Sequence, residues 1–255
     1  MKKPIPSSKI QFGFAMWLIG MVGAFAVLLM LPTMVSNKPS PIPMWAIYLI
    51  QVVQSGVILG VFVWIGVTLA HKVNLKSPCI EALVSKESCW RKLLPQLGPA
   101  CIGGVIVGIL LVGMNYLTPH ELSITTNEGI NPLLKVLAEV FYGGITEEIL
   151  LRWGVMTLLL WLLWRFIQRD QSTPSQKLVW IAIITSSLLF AFAHLPAAHV
   201  LAGHLTLNIF AYVVVGNSLA GMMFGFLYQR FGLESAMIAH ALAHLVADAA
   251  LVVFP

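Results

Sequence analysis

Charged residues are scarce in this chain, because only 10% of its 255 residues are Asp, Glu, Lys or Arg. Soluble globular proteins contain about 25% of these residues. Residues 178–229 contain none of the four types. In contrast, 58% of the chain is hydrophobic and the mean hydropathy is +0.88. This composition excludes an ordinary soluble domain and indicates a protein that crosses a membrane several times.

Cysteine is rare too, and internal repeats and low-complexity segments are absent. The three cysteines, Cys79, Cys89 and Cys101, lack the spacing of a metal site, and their odd number argues against a disulfide framework. The net charge of +5 does not indicate nucleic-acid binding, because the Lys and Arg residues are scattered over loops. The lipid bilayer is therefore an expected partner, and nucleic acid is not.

Long apolar segments predict an all-α bundle of seven or eight transmembrane helices, folded as one integral membrane domain over residues 1–255. Each crossing needs about 20 apolar residues. The segments fall at 12–33, 45–70, 98–118, 132–164, 178–195, 205–228 and 233–254. Segment 132–164 is too long for one straight span. We expect it to be kinked at Gly143-Gly144 or broken into two helices, which would give eight.

The distribution of basic residues predicts a cytoplasmic N-terminus. Lys and Arg are frequent before the first span, in the loop around 72–92 and in the loop 165–177, whereas 119–131 and 196–204 contain neither. This alternation follows the positive-inside rule. No cleavage site ends the first apolar run, so we expect a retained span rather than a signal peptide. The expected location is a bacterial cytoplasmic (inner) membrane.

Three formal charges interrupt the apolar run 143–156, GGITEEILLRWGVM. A charge at the centre of a membrane helix costs roughly 2.5–3.5 kcal/mol by insertion data, so such residues usually pair or face a cavity. Glu148 and Arg152 are four residues apart with the acid first, which favours a pair. Glu147 points about 100° away from Glu148 on a helix. We therefore predict that Glu147 is unpaired and free to act as a general base.

Histidines on two other apolar segments complete the candidate site. His194 lies in FAFAH, and His240 and His244 lie in AHALAHLVAD. At 1.5 Å per residue, Glu147 and His194 both lie about 26 Å from the basic loop 165–177. His244, about 21 Å from its own basic loop, fits this depth better than His240, about 15 Å from it. One membrane histidine alone usually serves helix packing, whereas this combination is hard to explain by packing.

The joint pattern resembles the CPBP family of intramembrane proteases, also called the CAAX-protease or Abi family. The family signatures EExxxR, FxxxH and HxxxN/D correspond to Glu147-Glu148-xxx-Arg152, Phe190-xxx-His194 and His240-xxx-His244. The flanking sequences YGGITEEILLRWG and GLESAMIAH are also similar. The resemblance covers about residues 130–250, whereas the first three spans are only generically hydrophobic.

The resemblance implies an intramembrane endopeptidase that cleaves a membrane-associated or lipidated peptide or protein. It implies that Glu147 activates a water, that His194 holds this water, and that His240 with residue 244 stabilises the oxyanion. Glu148 and Arg152 would shape the site. His244 replaces the usual Asn or Asp, although a neutral histidine still donates one N–H. We expect Asp248, one turn further on, to orient His244.

A bound metal is left open by the sequence. Glu147, His194 and His240 form a set of one carboxylate and two histidines, as in catalytic zinc sites, so a divalent metal such as zinc is a candidate cofactor. The chain lacks the HExxH motif.

Two other functions remain open at this stage. Buried Glu and His residues also mark proton or cation pathways, so a coupled transporter is one alternative. The other is a membrane scaffold without catalytic activity.

Overall fold

A computed structural model describes residues 6–31, 42–123 and 131–253. All regular elements within these ranges are helices. They are α1 (Pro6–Leu28), α2 (Met44–Leu69), α3 (Pro78–Val84), α4 (Cys89–Asn115), α5 (His120–Ser123), α6 (Pro132–Ile167), α7 (Gln176–Ala202), α8 (Leu207–Arg230) and α9 (Leu233–Val253), with a 3-10 turn at Ala70–Val73.

Seven of these helices are long and apolar enough to cross a membrane, namely α1, α2, α4, α6, α7, α8 and α9. The prediction of an all-α integral membrane protein is therefore confirmed, and the described residues contain seven spans rather than eight. Many large apolar side chains, such as Trp45, Ile102 and Leu207, lie on the outer surface of the bundle. Such a surface suits contact with lipid.

Helix α6 is continuous, and its central part is π-helical. The segments Glu139–Glu147 and Ile149–Met156 have π-helical geometry, between α-helical ends. The alternative of a break into two helices is therefore wrong, and both glycines lie within the first π-helical segment. A π-helix closes hydrogen bonds between residues five apart and is frequent at functional sites. The charged motif thus lies on a locally widened helix.

Helix α1 packs closely against this π-helical segment. The hydroxyl of Thr146, which is buried, donates a hydrogen bond to the carbonyl of Gly20 at 2.6 Å. A buried hydroxyl needs such a partner, because leaving it unpaired costs free energy. This bond fixes the residue immediately before the two adjacent glutamates against a neighbouring helix.

Helix α9 begins inside the protein, beneath α3. The buried carboxylate of Glu234 accepts a hydrogen bond from the hydroxyl of Ser77 at 2.6 Å. It also accepts from the backbone N–H groups of Cys79 and Ile80, at 2.9 and 3.0 Å. These N–H groups are among the free donors at the start of α3, where a negative charge is favourable. The start of α9 therefore does not lie at the surface of the bundle.

The structure pairs Cys79 with Cys89 in a disulfide whose Cα atoms are 4.5 Å apart. The argument against a disulfide framework is therefore wrong for these two residues. An odd number of cysteines leaves at least one thiol unpaired, but it does not prevent the other two from forming a disulfide. Cys101 is free and exposed.

Candidate active site

Glu148 and Arg152 form the buried pair that their spacing predicts. The Nε of Arg152 donates to Oε2 of Glu148 at 3.2 Å, and both side chains are completely buried. The guanidinium also lies over the ring of Phe190, 5.5 Å from its centroid. This cation–π contact stabilises a guanidinium that is buried away from solvent.

Glu148 has a second partner, which the sequence did not predict. The Nδ1 of His240 lies 2.9 Å from Oε1 of Glu148. Since a carboxylate only accepts, Nδ1 of the imidazole carries the proton and donates. The other nitrogen, Nε2, is therefore directed away from Glu148. A carboxylate that holds a histidine in this way fixes both its tautomer and its orientation.

The imidazoles of His240 and His244 lie directly above Gly143. A Cβ atom added to Gly143 would lie 3.3 Å from Nε2 of His240 and 3.4 Å from Nε2 of His244. The two rings stack with centroids 5.2 Å apart. The absence of a side chain at Gly143 therefore lets two imidazole nitrogens approach the backbone of α6.

His194 is fixed by its own helix. Its Nδ1 donates to the carbonyl of Phe190, one turn earlier, at 2.8 Å. Phe190 is buried, and its ring contacts His194 edge to face at 4.6 Å and His240 at 6.2 Å. The FxxxH pattern therefore places an aromatic ring between two histidines and leaves Nε2 of His194 without a partner among the described residues.

A cavity of about 380 Å³ brings the candidate residues together. Apolar side chains from α1, α4 and α8 form much of its wall. The polar part of the wall includes Gly143, Glu147, His194, Asn217, His240 and His244. Within the described part of the chain, Glu147 has no hydrogen bond and no ion pair. The carboxylate predicted to be unpaired is thus the one that faces the cavity.

Several wall residues were missed by the sequence reasoning. Phe224 stacks on the ring of His240 at 4.4 Å, with the planes 16° apart. Tyr142, Asn217 and Glu139 also line the cavity. Tyr142 precedes Glu147 by five residues, a spacing that becomes meaningful only when α6 is known to be π-helical. Nothing in the sequence around Phe224 or Asn217 marked these residues.

Asp248 does not orient His244 as expected. Its Oδ1 instead accepts a hydrogen bond from Nζ of Lys135 at 2.5 Å, and its Oδ2 has no partner among the described residues. Lys135 also pairs with Glu139 at 3.2 Å, as the four-residue spacing predicts. Because Lys135 lies on α6 and Asp248 lies on α9, this bond connects the two helices at the edge of the cavity.

The proposed metal ligands do not form a metal site as they are placed. Over residues 6–31, 42–123 and 131–253, no group of three or more His, Cys, Asp or Glu side chains is arranged to hold a metal ion. The Nδ1 atoms of His194 and His240 already have protein partners, so each ring offers only Nε2.

A bundle of membrane helices with an unpaired glutamate facing fixed histidines in an internal cavity has the features of a membrane-embedded hydrolase. Residues 129–246 match a family model described as "Type II CAAX prenyl endopeptidase Rce1-like". The match contains all three motifs and agrees with the resemblance to the CPBP/CAAX-protease family that the motifs predicted. Comparison with curated proteins and with solved structures gave no match.

Proposed function

We propose that the protein is an intramembrane endopeptidase that hydrolyses a peptide bond of a membrane-associated or lipidated peptide or protein. The family match supports a CAAX-type endopeptidase in general. The observation that supports the specific mechanism is the unpaired carboxylate of Glu147 in the cavity wall, beside histidines whose orientation is fixed by other bonds. A base that already had a partner would be less available to accept a proton.

In the proposed mechanism, Glu147 and His194 act on one water molecule. Glu147 accepts a proton from the water, and the lone pair of Nε2 of His194 accepts a hydrogen bond from it. The water oxygen attacks the scissile carbonyl carbon, and the carbonyl oxygen becomes an oxyanion. When the C–N bond breaks, the protonated Glu147 returns its proton to the leaving nitrogen. The products are a carboxylic acid and an amine.

In the proposed mechanism His240 and His244 donate to the oxyanion, a role that is supported by their position in the cavity wall. With Nδ1–H of His240 donating to Glu148, its Nε2 donates only when the ring carries a second proton. Glu148 is the carboxylate that would stabilise this imidazolium, as in other carboxylate–histidine pairs. His244 donates one N–H as a neutral ring. Fixed donors stabilise a developing charge more strongly than water does, because they need not reorient during the reaction.

The positive charge that a protonated His240 would carry has a partner in this arrangement, because Nδ1 of its ring lies 2.9 Å from Oε1 of Glu148. Buried charges are tolerated when they are paired.

The test is a comparison of wild-type protein with Glu147→Gln, both purified in nanodiscs and incubated with a pool of membrane-derived and prenylated peptides. Mass spectrometry identifies new peptide termini. We expect termini that the wild type makes and Glu147→Gln does not. The control is Glu87→Gln, which changes an exposed loop carboxylate with the same chemistry. Equal cleavage by wild type and Glu147→Gln would refute the mechanism, and proton flux without cleavage would favour a transporter.

A further inference from the structure

The cavity lies toward one end of the helix bundle. Helix α6 contributes residues from its first half, between Ala138 and Glu147, whereas α4 contributes residues from its last turns, such as Met114. Helix α8 contributes from Tyr212 onward, near its start, and α1 contributes Val27, near its end. Because successive spans run in opposite directions, these positions all lie at the same end of the bundle. We call it the cavity end.

The opposite end is closed by packed side chains. Below Glu147, α6 continues through Trp153, Met156 and Leu160, which are completely buried. The buried hydroxyls of Thr157 and Tyr228 share a hydrogen bond at 2.9 Å in the same layer. Close-packed interiors leave few gaps that would admit water. The described structure therefore offers no route from this closed end to the cavity.

The start of α9 is covered at the closed end as well. Glu234 binds the first turn of α3, and the backbone N–H of Leu233 donates to the carbonyl of Lys76 at 3.1 Å. Leu233, Ser235 and Ala236 are completely buried beneath this cover. His240, two turns further along α9, is thus separated from the surface on this side by α3.

Basic residues are concentrated at the closed end. Ten of the twelve Lys and Arg residues within the described ranges lie in the first turn of α1 or in or beside the connections at this end: Lys9, Lys72, Lys76, Lys86, Arg91, Lys92, Arg165, Arg169, Lys177 and Arg230. At the cavity end, the described residues include Lys135, which is paired with Asp248 and Glu139. Cytoplasmic loops carry the excess of Lys and Arg in membrane proteins. The closed end is therefore assigned to the cytoplasm.

We propose that the active-site cavity opens toward the extracytoplasmic side of the membrane. The access route itself follows from the closed end and the charge distribution. The substrate assignment rests in addition on the proposed function. On this basis, the substrate is a peptide segment presented after translocation: an exported peptide or the extracytoplasmic segment of a membrane-anchored protein. A segment that stays in the cytoplasm would meet the closed layer around Trp153 instead.

Cysteine labelling of the full-length protein in intact cells tests the access route. Single cysteines are introduced at Met114 and Tyr212 in the cavity wall, and at Arg169 in an exposed loop of the closed end. A charged, membrane-impermeant maleimide is added before or after permeabilisation. The parent protein measures the background from the native cysteines. We expect Met114→Cys and Tyr212→Cys to react in intact cells, and Arg169→Cys to react only after permeabilisation.

The opposite pattern would overturn the proposal, and so would a lack of labelling at both cavity positions under all conditions, because the cavity would then not open to water. The second measurement adds the peptide pool to sealed right-side-out or inverted vesicles. Cleavage in right-side-out vesicles supports the proposal, whereas cleavage only in inverted vesicles overturns it and leaves the proposed activity intact. If the introduced cysteines are labelled as expected but neither vesicle preparation cleaves the peptides, the proposed activity is refuted and the access route is not.

Discussion

Nδ1 of His240 lies 2.9 Å from Oε1 of Glu148, although the two residues are 92 positions apart in the chain. This bond joins α9 to the π-helical part of α6. Glu148 also accepts from Arg152, so the second glutamate of the motif is occupied on both oxygens. The two adjacent glutamates thus have different surroundings. Glu148 holds the site together, and Glu147 faces the cavity.

Replacing Glu147 by Gln is expected to decrease turnover strongly without loss of stability. General bases typically contribute about 10²- to 10⁴-fold to the rate, so a decrease of that order in kcat is expected. The thermal unfolding midpoint should not fall, because within the described residues Glu147 has no hydrogen bond or ion pair to lose. Peptide cleavage and thermal unfolding in detergent measure the two effects. A decrease in stability as large as that of a core variant would show a structural role for Glu147.

Replacing Arg152 by Met is expected to destabilise the protein. The substitution leaves buried Glu148 without its arginine partner, and breaking one side of a buried ion pair costs about 3–5 kcal/mol. Denaturant titration of the purified protein measures the change in the free energy of unfolding.

The double variant Glu148→Gln/Arg152→Met is the matched control for the Arg152 prediction. It removes both charges together, so we expect it to recover much of the stability while turnover stays low. If the double variant were as unstable as Arg152→Met, lost packing and not the unpaired carboxylate would be the cause.

The sequence predicted the fold class and the motif positions because both depend on local patterns. Apolar runs gave seven spans, and the four-residue spacing gave the pair of Glu148 with Arg152. The bond between Glu148 and His240 could not be predicted, because helix register depends on packing between segments far apart in sequence. The same holds for the stacking of Phe224 on His240.

The error about Asp248 has a related cause. Helical spacing put Asp248 one turn after His244, but Lys135 on α6 is close enough to form an ion pair with the carboxylate of Asp248. Depth counting also placed His240 too near the surface, because it assumed that α9 begins at the membrane edge. The buried carboxylate of Glu234 shows that α9 begins beneath α3 instead.

Two neighbouring glycines allow a test of the contact between α6 and the histidines. In Gly143→Ala, the new methyl group would press on Nε2 of His240 and of His244, at 3.3 and 3.4 Å. We expect turnover to decrease with little change in stability, because imidazole rings can move slightly. Peptide cleavage and thermal unfolding measure the two effects.

Gly144→Ala serves as the matched variant for Gly143→Ala. Its new methyl group would lie 2.8 Å from Cβ and 3.1 Å from the backbone nitrogen of Ala241, which cannot move aside. We therefore expect a decrease in stability, typically about 1–3 kcal/mol for overpacking. Equal effects of the two variants on stability would contradict the assignment of Gly143 to the site.

Removal of divalent metals is expected to leave turnover unchanged. The described side chains do not form a group arranged to hold a metal ion, and the proposed water is activated by Glu147 and His194 alone. Prolonged dialysis against a chelator, followed by metal analysis and the cleavage assay, measures this. Activity that disappears on dialysis and returns with zinc would show that Glu147, His194 and His240 rearrange to bind a metal.

Asn217 is expected to contribute to substrate binding. Its Nδ2 donates to the carbonyl of Val213 at 2.8 Å, which fixes the side-chain amide at the cavity wall. One N–H and Oδ1 of this amide have no partner within the described ranges, and a peptide backbone offers the matching acceptor and donor. A neutral hydrogen bond contributes about 0.5–1.5 kcal/mol, so Asn217→Leu should raise KM by about 2- to 12-fold while kcat stays similar.

Ser218→Ala is the control for Asn217→Leu. Ser218 is the next residue on α8 and loses a buried hydroxyl in this variant, but it does not line the cavity. We expect its KM to equal that of the wild type. If Asn217→Leu lowered kcat instead and left KM unchanged, the amide would act on the transition state, beside His240 and His244, rather than on the bound substrate.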